Sequence, residues 1–305
     1  MRGCNLWFRI KGEYPPLTIL KKEDRIFAEW RSTGGLTVIA GIHPSGKHYI
    51  SNNKSPLKIN FNELKKICKN HNIGTVKLEI ARDNLPNINF LKKVRQFCSK
   101  KKIILIFDEC TSGFRRNLGG IHLTTGINPD IAILGKAMGN GYAITAVIGK
   151  TKIMKAADQS FISSTFWTER IGFVAANKTI EYMKKNKTYK ILIKNGRYVV
   201  KKWAETAKKN NIKIRISGIE SIASFSFEKN NLLYKTFLTQ EMIKNGYLAS
   251  NLIYLSTGHT KKVIDRYIYF LNKIFKKISI HQKSKKKQKI LKGPICHSTF
   301  KRLTD

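Results

Sequence analysis

Residues 103–115 read IILIFDECTSGFR, and residues 128–150 read NPDIAILGKAMGNGYAITAVIGK. Each segment holds a short unbroken apolar run that stops abruptly: IILIF at Asp108-Glu109, and IAIL at Gly135-Lys136. A third run covers residues 144–148. Unbroken runs of this length suit strands buried on both faces, as in a parallel sheet. In an open α/β sheet, ligands bind at the carboxyl ends of the strands. Asp108 and Lys136 both occupy such ends and are the first candidates for chemistry.

Outward from these runs, helical and extended patterns alternate. FNELKKICKN, residues 61–70, has helical spacing with Asn60 as its N-cap. TVKLEI, residues 75–80, alternates like a strand, and residues 90–101 place Phe90, Leu91, Val94 and Phe97 on one helical face. This succession predicts an α/β fold with a largely parallel sheet and flanking helices. Further on, helices are expected over residues 170–186, 189–210, 234–245 and 262–277, with Gly246 stopping the third. Strands are expected over 212–216, 222–227 and 252–256, which makes a smaller α+β C-terminal domain.

Composition excludes several classes. The chain has 305 residues, of which 42% are hydrophobic, a globular proportion. No run reaches the ~18 apolar residues of a membrane span, and the N-terminus shows no apolar segment with a small-residue cleavage site. The five cysteines are widely spaced with no CxxC pair, which argues against a zinc site and a disulfide framework and suits a cytoplasmic protein. No metal is expected. The formal charge of +39 accompanies a chain-wide enrichment in lysine, asparagine and isoleucine. No nucleic-acid-binding motif goes with it, so no specific nucleic-acid partner is expected. The densest basic run, residues 283–289, reads as a solvated connector.

An enzyme using pyridoxal 5'-phosphate (PLP) needs a lysine to form an imine with the aldehyde, a carboxylate to hold the pyridine nitrogen, donors for the phosphate and a surface for the ring. Lys136 follows a buried strand and is flanked by Gly135 and Gly139, which permit close approach. Asp108 is aimed from a strand end. The plain alternatives are a surface lysine after a strand and an aspartate capping its own loop, and spacing alone does not choose between them.

Together the two segments resemble the class III aminotransferase signature, in which an Asp-Glu pair, a Thr/Ser-Gly-Phe turn, a Pro-Asp and a Gly-Lys follow in order. The nearest likeness is to the glutamate-1-semialdehyde aminomutase branch. KLEIARDN (77–84), SFISSTFWTERIG (160–172), QEMIKNGYLASN (240–251) and GPICHSTFKRL (293–303) extend it from about residue 35 onward. The resemblance implies a homodimeric PLP enzyme acting on a small-molecule amino donor and acceptor. It implies that Lys136 is the Schiff-base lysine, that Asp108 binds the pyridine nitrogen, and that Thr165 binds the phosphate from the neighbouring subunit. Glu109 is expected to orient the region of Asp108, with a structural salt bridge as the equal alternative. Arg82 is a candidate for a substrate carboxylate, and a surface arginine is at least as good a description of it. His259 and His297 stand alone and are taken as structural.

The expected organisation is an irregular N-terminal remnant over 1–50, a partial PLP-binding large domain over 51–205, the small domain over 206–280 and a basic tail over 281–305. Family members carry a long portion ahead of the matched region, with a Gly/Ser-rich turn for the phosphate and an aromatic for the ring. Residues 1–50 offer no equivalent: Ser32-Thr33-Gly34-Gly35 is not followed by an amphipathic helix. Asn84 also stands where many relatives have an acidic residue. Weakened cofactor binding and impaired turnover are therefore expected. The competing possibility is a catalytically inactive remnant with a structural or dimerisation role. Transamination and aminomutation use the same parts, so the sequence does not choose between them.

Overall fold

Asn60 begins the first well-packed element. Its side chain accepts from the backbone N–H groups of Asn62 and Glu63, while the Glu63 carboxylate accepts from the Asn60 N–H, so a full capping box opens helix α1 (Phe61–Asn70). This computed structural model describes residues 60–81, 85, 87–159, 169–284 and 289–297. It also describes the two-residue strands β1 (Lys21–Lys22), β2 (Arg25–Ile26), β3 (Gly41–Ile42) and β4 (His48–Tyr49). Arg82, Asn84 and Thr165 lie outside the described residues, as do nearly all of residues 1–50.

The central sheet has the order β5 (Thr75–Glu79), β6 (Ile104–Asp108), β7 (Ile131–Leu134), β8 (Ala146–Gly149). The first three strands are parallel, with Glu79 opposite Asp108 and Asp108 opposite Ile133. β8 runs antiparallel to β7, so the third apolar run does not extend the parallel set. An apolar run reports burial, not direction, and the chain returns to β8 through residues 135–145, which hold one short 3-10 turn and no crossover helix.

Helix α2 (Ile88–Lys101) joins β5 to β6. Leu91, Val94 and Cys98 of α2 and Leu64 of α1 pack on Val76, Leu105 and Phe107 across one sheet face. Alternate residues of β5, Thr75, Lys77 and Glu79, are exposed on the opposite face. A short helix α3 (His122–Thr125) precedes β7, and α4 (Thr151–Met154) follows β8. Helix α5 (Arg170–Asn186) supplies Ala176 and Met183 to a small cluster with Phe114, Leu134 and Met138.

A second core lies C-terminal to this one. Helix α6 (Thr188–Lys209), the hairpin β9 (Ile214–Ile219)–β10 (Ile222–Phe227), α7 (Asn231–Lys244) and α8 (Lys261–Lys283) close around Trp203, Phe225, Phe227, Tyr234 and Phe275. The strand expected over 252–256 is reduced to one bridge, Ser224 to Leu252. Its backbone still bonds the hairpin at Ile253 and Leu255, 2.9 Å each, but without a continuous ladder. α8 runs on to Lys283, and Leu291 beyond it is buried in the same core. No helix among the described residues is long and apolar enough to cross a membrane.

Candidate active site

Both candidate residues leave the sheet at one edge. Asp108 is the last residue of β6, and its partner on β7, Ile133, lies three positions before Lys136. Parallel register alone therefore sets the carboxylate and the amine at the carboxyl ends of adjacent strands.

The exit from β7 is tightly constrained. Lys136 adopts φ +46°, the left-handed region, which costs a residue with a Cβ about 1–2 kcal/mol. The turn is closed by Met138 N–H on Gly135 O at 3.0 Å and Gly139 N–H on Lys136 O at 3.1 Å. A Cβ on Gly139 would fall 2.2 Å from the backbone Tyr142 O, so that place demands glycine, and one on Gly135 would crowd Cys110 Sγ at 3.0 Å. The strained backbone thus presents an exposed lysine, whose Nζ donates to Thr111 Oγ1 at 2.7 Å. Strain of this kind persists only where the surroundings over-determine it.

The exit from β6 separates two adjacent carboxylates. Asp108 Oδ1 accepts from Cys110 N–H at 3.1 Å, and Oδ2 lies 2.9 Å from Lys77 Nζ. Its side chain stays 24% exposed, so it is open to a ligand. Glu109 is fully buried and faces the other way. It accepts from the Ile121 N–H, from the His122 N–H at 3.1 Å and from Ser112 Oγ at 3.4 Å, and it pairs with His122 Nδ1. These contacts hold the 110–121 loop over the end of β6, and the structure brings Glu109 to that loop, not to the Asp108 carboxylate.

Two further anchors fix the geometry. Asp130, from the NPD segment, accepts from Leu105 N–H, Arg95 and Lys150 at 2.7–2.8 Å, so it ties α2, β6 and β8 together. Burial pushes its pKa up, but these donors outweigh it and leave it below the ordinary value. Arg115 donates from Nε to Thr111 O at 2.7 Å, and its guanidinium stacks 5.1 Å from the Tyr254 ring centroid. Desolvation lowers its pKa, partly offset by Tyr254 and Cys110. His259 closes its own turn, with Nδ1 at 3.0 Å from Ser256 N, and its carbonyl accepts from Asn195 Nδ2 at 2.8 Å.

Sequence reasoning missed Lys77, Thr111 and the anchoring part of Asp130. Lys77 carried a usable signal: strand alternation from Glu79 puts it on the face that Asp108 shares by register. Thr111 carried none, because its contact with Lys136 depends on the loop's path.

The aminotransferase class-III family matches residues 81–256, more than half of the chain and the stretch that contains both strand ends. The chain belongs to the class III aminotransferase family. It is 35% identical over 162 residues to the 3-aminobutyryl-CoA aminotransferase of Cloacimonas acidaminovorans, covering 52% of this chain and 39% of that one. It is 32% identical over 211 residues to the glutamate-1-semialdehyde 2,1-aminomutase of Wigglesworthia glossinidia brevipalpis, covering 63% and 48%. The chain thus spans about half the length, or less, of these curated relatives. The fold also matches the FumI protein of Sphingopyxis sp. MTA144, with a TM-score of 0.68 at 21% identity over 73% of this chain and 56% of that one. The expected α/β fold with its smaller second domain is the fold of this class III family.

The cofactor implied by the class III family is PLP, and the donor set fits it at two ends. An exposed amine stands on a turn that glycines keep clear, and a partly exposed carboxylate stands on the next strand. The residues expected at the phosphate and substrate ends, Thr165 and Arg82, lie outside the described residues.

Proposed function

We propose that this chain carries PLP-dependent amino-group chemistry, transamination or aminomutation, on a small-molecule amino donor and acceptor. In this reading Lys136 is the covalent attachment point and Asp108 the ring-nitrogen partner. The observation that carries it is the strained, glycine-guarded turn that presents Lys136 one strand away from an accessible Asp108.

When bound, PLP supplies an electrophilic carbonyl and an electron-withdrawing ring. The chain's own residues do the rest. Lys136 Nζ is the group that moves a proton at the reacting carbon, and Thr111 Oγ1 holds it in place. Asp108 sets the charge at the ring nitrogen. Glu109 acts through the loop it anchors, by keeping Thr111 beside Lys136. Under the same proposal Thr165 serves the phosphate of a neighbouring subunit in a cytoplasmic homodimer. Ile171, Phe173 and Val174, which follow that segment, are 54–59% exposed and support a covering partner.

Incubation with PLP followed by borohydride is expected to give a stable adduct on the Lys136 peptide, and K136A is expected to lose it. A label on another lysine overturns the assignment. No adduct at all, from a folded chain, leaves a structural or dimerising role.

A further inference from the structure

We propose that Lys77 is a built-in competitor for the ring-nitrogen carboxylate, a positioning residue that lowers the site's affinity for a protonated pyridine. The proposal rests on the reading of Asp108 as ring-nitrogen partner.

Lys77 lies on β5, two residues before Glu79, the register partner of Asp108. Strand alternation puts Lys77, Glu79 and Asp108 on the sheet face away from α1 and α2. Lys77 Nζ reaches Asp108 Oδ2 at 2.9 Å, with the two side chains 35% and 24% exposed. Oδ1 is already engaged by the Cys110 N–H. A ring N–H therefore shares either oxygen with one donor already present, and on Oδ2 that donor is a full cation.

As a stabilising contact, a half-exposed ion pair of this kind contributes little. Its consequence is for what binds beside it. A carboxylate oxygen has lone pairs for a second donor. A protonated ring nitrogen that donates to Oδ2 would then sit next to an ammonium on the same oxygen. Like charges at that separation oppose each other, and the ring escapes the repulsion by losing its proton or by displacing Lys77. Either route weakens binding of the protonated ring. Glu79 adds negative charge on the same face, but it belongs to the same strand as Lys77 and remains in every variant below.

The test uses 4'-deoxypyridoxine 5'-phosphate, a ring analogue with no aldehyde, so that binding does not depend on a bond to Lys136. The full chain and its K77M, K77R, D108N and K77M/D108N variants are titrated with it by NMR, and the analogue is labelled with nitrogen-15 at the ring. K77M is expected to bind about tenfold tighter than the natural chain and to shift the ring nitrogen toward its protonated form. K77R, which keeps the cation, is expected to behave like the natural chain. In the D108N background K77M is expected to bring no gain. Equal or weaker binding by K77M, with D108N still weakening the natural chain, overturns the competition and leaves the Asp108 assignment standing. If D108N changes neither affinity nor ring signal, or if no variant binds, the Asp108 assignment falls and this inference falls with it. Melting temperatures of the variants check that all are folded.

Discussion

The aromatic core of α6, β10, α7 and α8 and the carboxyl edge of the central sheet satisfy their side chains in opposite ways. In the core, Trp203, Phe225, Phe227 and Phe275 meet edge to face at 4.8–5.8 Å between centroids. The polar tips buried with them are matched, with Trp203 Nε1–H donating to Tyr267 Oη at 3.0 Å. The left-handed positions beside the hairpin fall on Asn211 and Asn230, a residue type that tolerates them. At the sheet edge, the left-handed positions include Phe114 and Lys136 as well as Asn140, and a cation and a carboxylate stand half exposed. Stability is concentrated in the first region, and strain and charge in the second. That division is what a scaffold presenting a reactive side chain requires.

The largest effect that would test this division lies in the core. Trp203→Ala removes a fully buried indole and leaves the Tyr267 hydroxyl without its donor. A loss of about 3–5 kcal/mol is expected from the denaturant midpoint. A loss under about 1 kcal/mol would show that the ring cluster is not where stability resides.

Next in size is the edge itself. Asp108→Ala is expected to lower turnover by about 10²–10³-fold, as for removal of a preorganised electrostatic group. Its melting temperature should stay close to that of the natural chain, because what is lost is a partly exposed ion pair and one local hydrogen bond from Cys110 N–H. A variant that loses stability in step with turnover would place Asp108 in the scaffold.

The two regions also differed in how far the sequence revealed them. IAIL and IILIF were legible because a strand buried on both faces leaves no alternation, and α5 emerged at the predicted residues 170–186. Asn60 was legible because capping is local chemistry. The direction of β8 was not, since antiparallel and parallel burial select the same residues. Residues 252–256 have strand composition yet form a single bridge, because pairing depends on where the hairpin stops. At the site, Lys136 and Asp108 were visible as strand ends, whereas the Lys77–Asp108 pair required knowing that β5 and β6 are neighbours in register. For Glu109 the sequence left an orienting role and a structural salt bridge equally open, and the loop path carries it into the interior beside His122.

A third, smaller effect is pH-dependent and belongs to the core side. Glu241 on α7 is 5% exposed. Burial pushes its pKa up, but Lys244, Lys277 and Gln240 outweigh this and hold it at about 2, against an ordinary 4.5. A folded pKa below the unfolded one stabilises the protein above the unfolded value and loses that contribution as pH falls through the folded one. Glu241 should therefore contribute fully above pH 4.5 and progressively less down to about pH 2, by up to about 3 kcal/mol in total. Urea midpoints at pH 7 and pH 3 are expected to differ less in Glu241→Gln than in the natural chain. An equal difference would mean that other carboxylates carry the acid sensitivity.

The smallest effect sharpens the comparison most, because it asks whether the strain at Lys136 is real. Its φ of +46° places Cβ against the following carbonyl, at a cost of about 1–2 kcal/mol. Glycine adopts that conformation freely but loses more freedom on folding, by roughly 0.5–1 kcal/mol. The side chain's bond to Thr111 lies at the surface and adds little to stability. The balance favours Lys136→Gly by about 1 kcal/mol or less, read as a rise of about 2 °C in melting temperature. Lys136→Ala keeps the Cβ and should show no rise, so the difference between the two variants isolates the backbone strain from the lost amine. Under the proposed assignment, neither is expected to form the borohydride-stable adduct. A glycine variant that melts no higher than the alanine variant would mean that the turn relaxes around any residue, and that the lysine is displayed at no energetic cost.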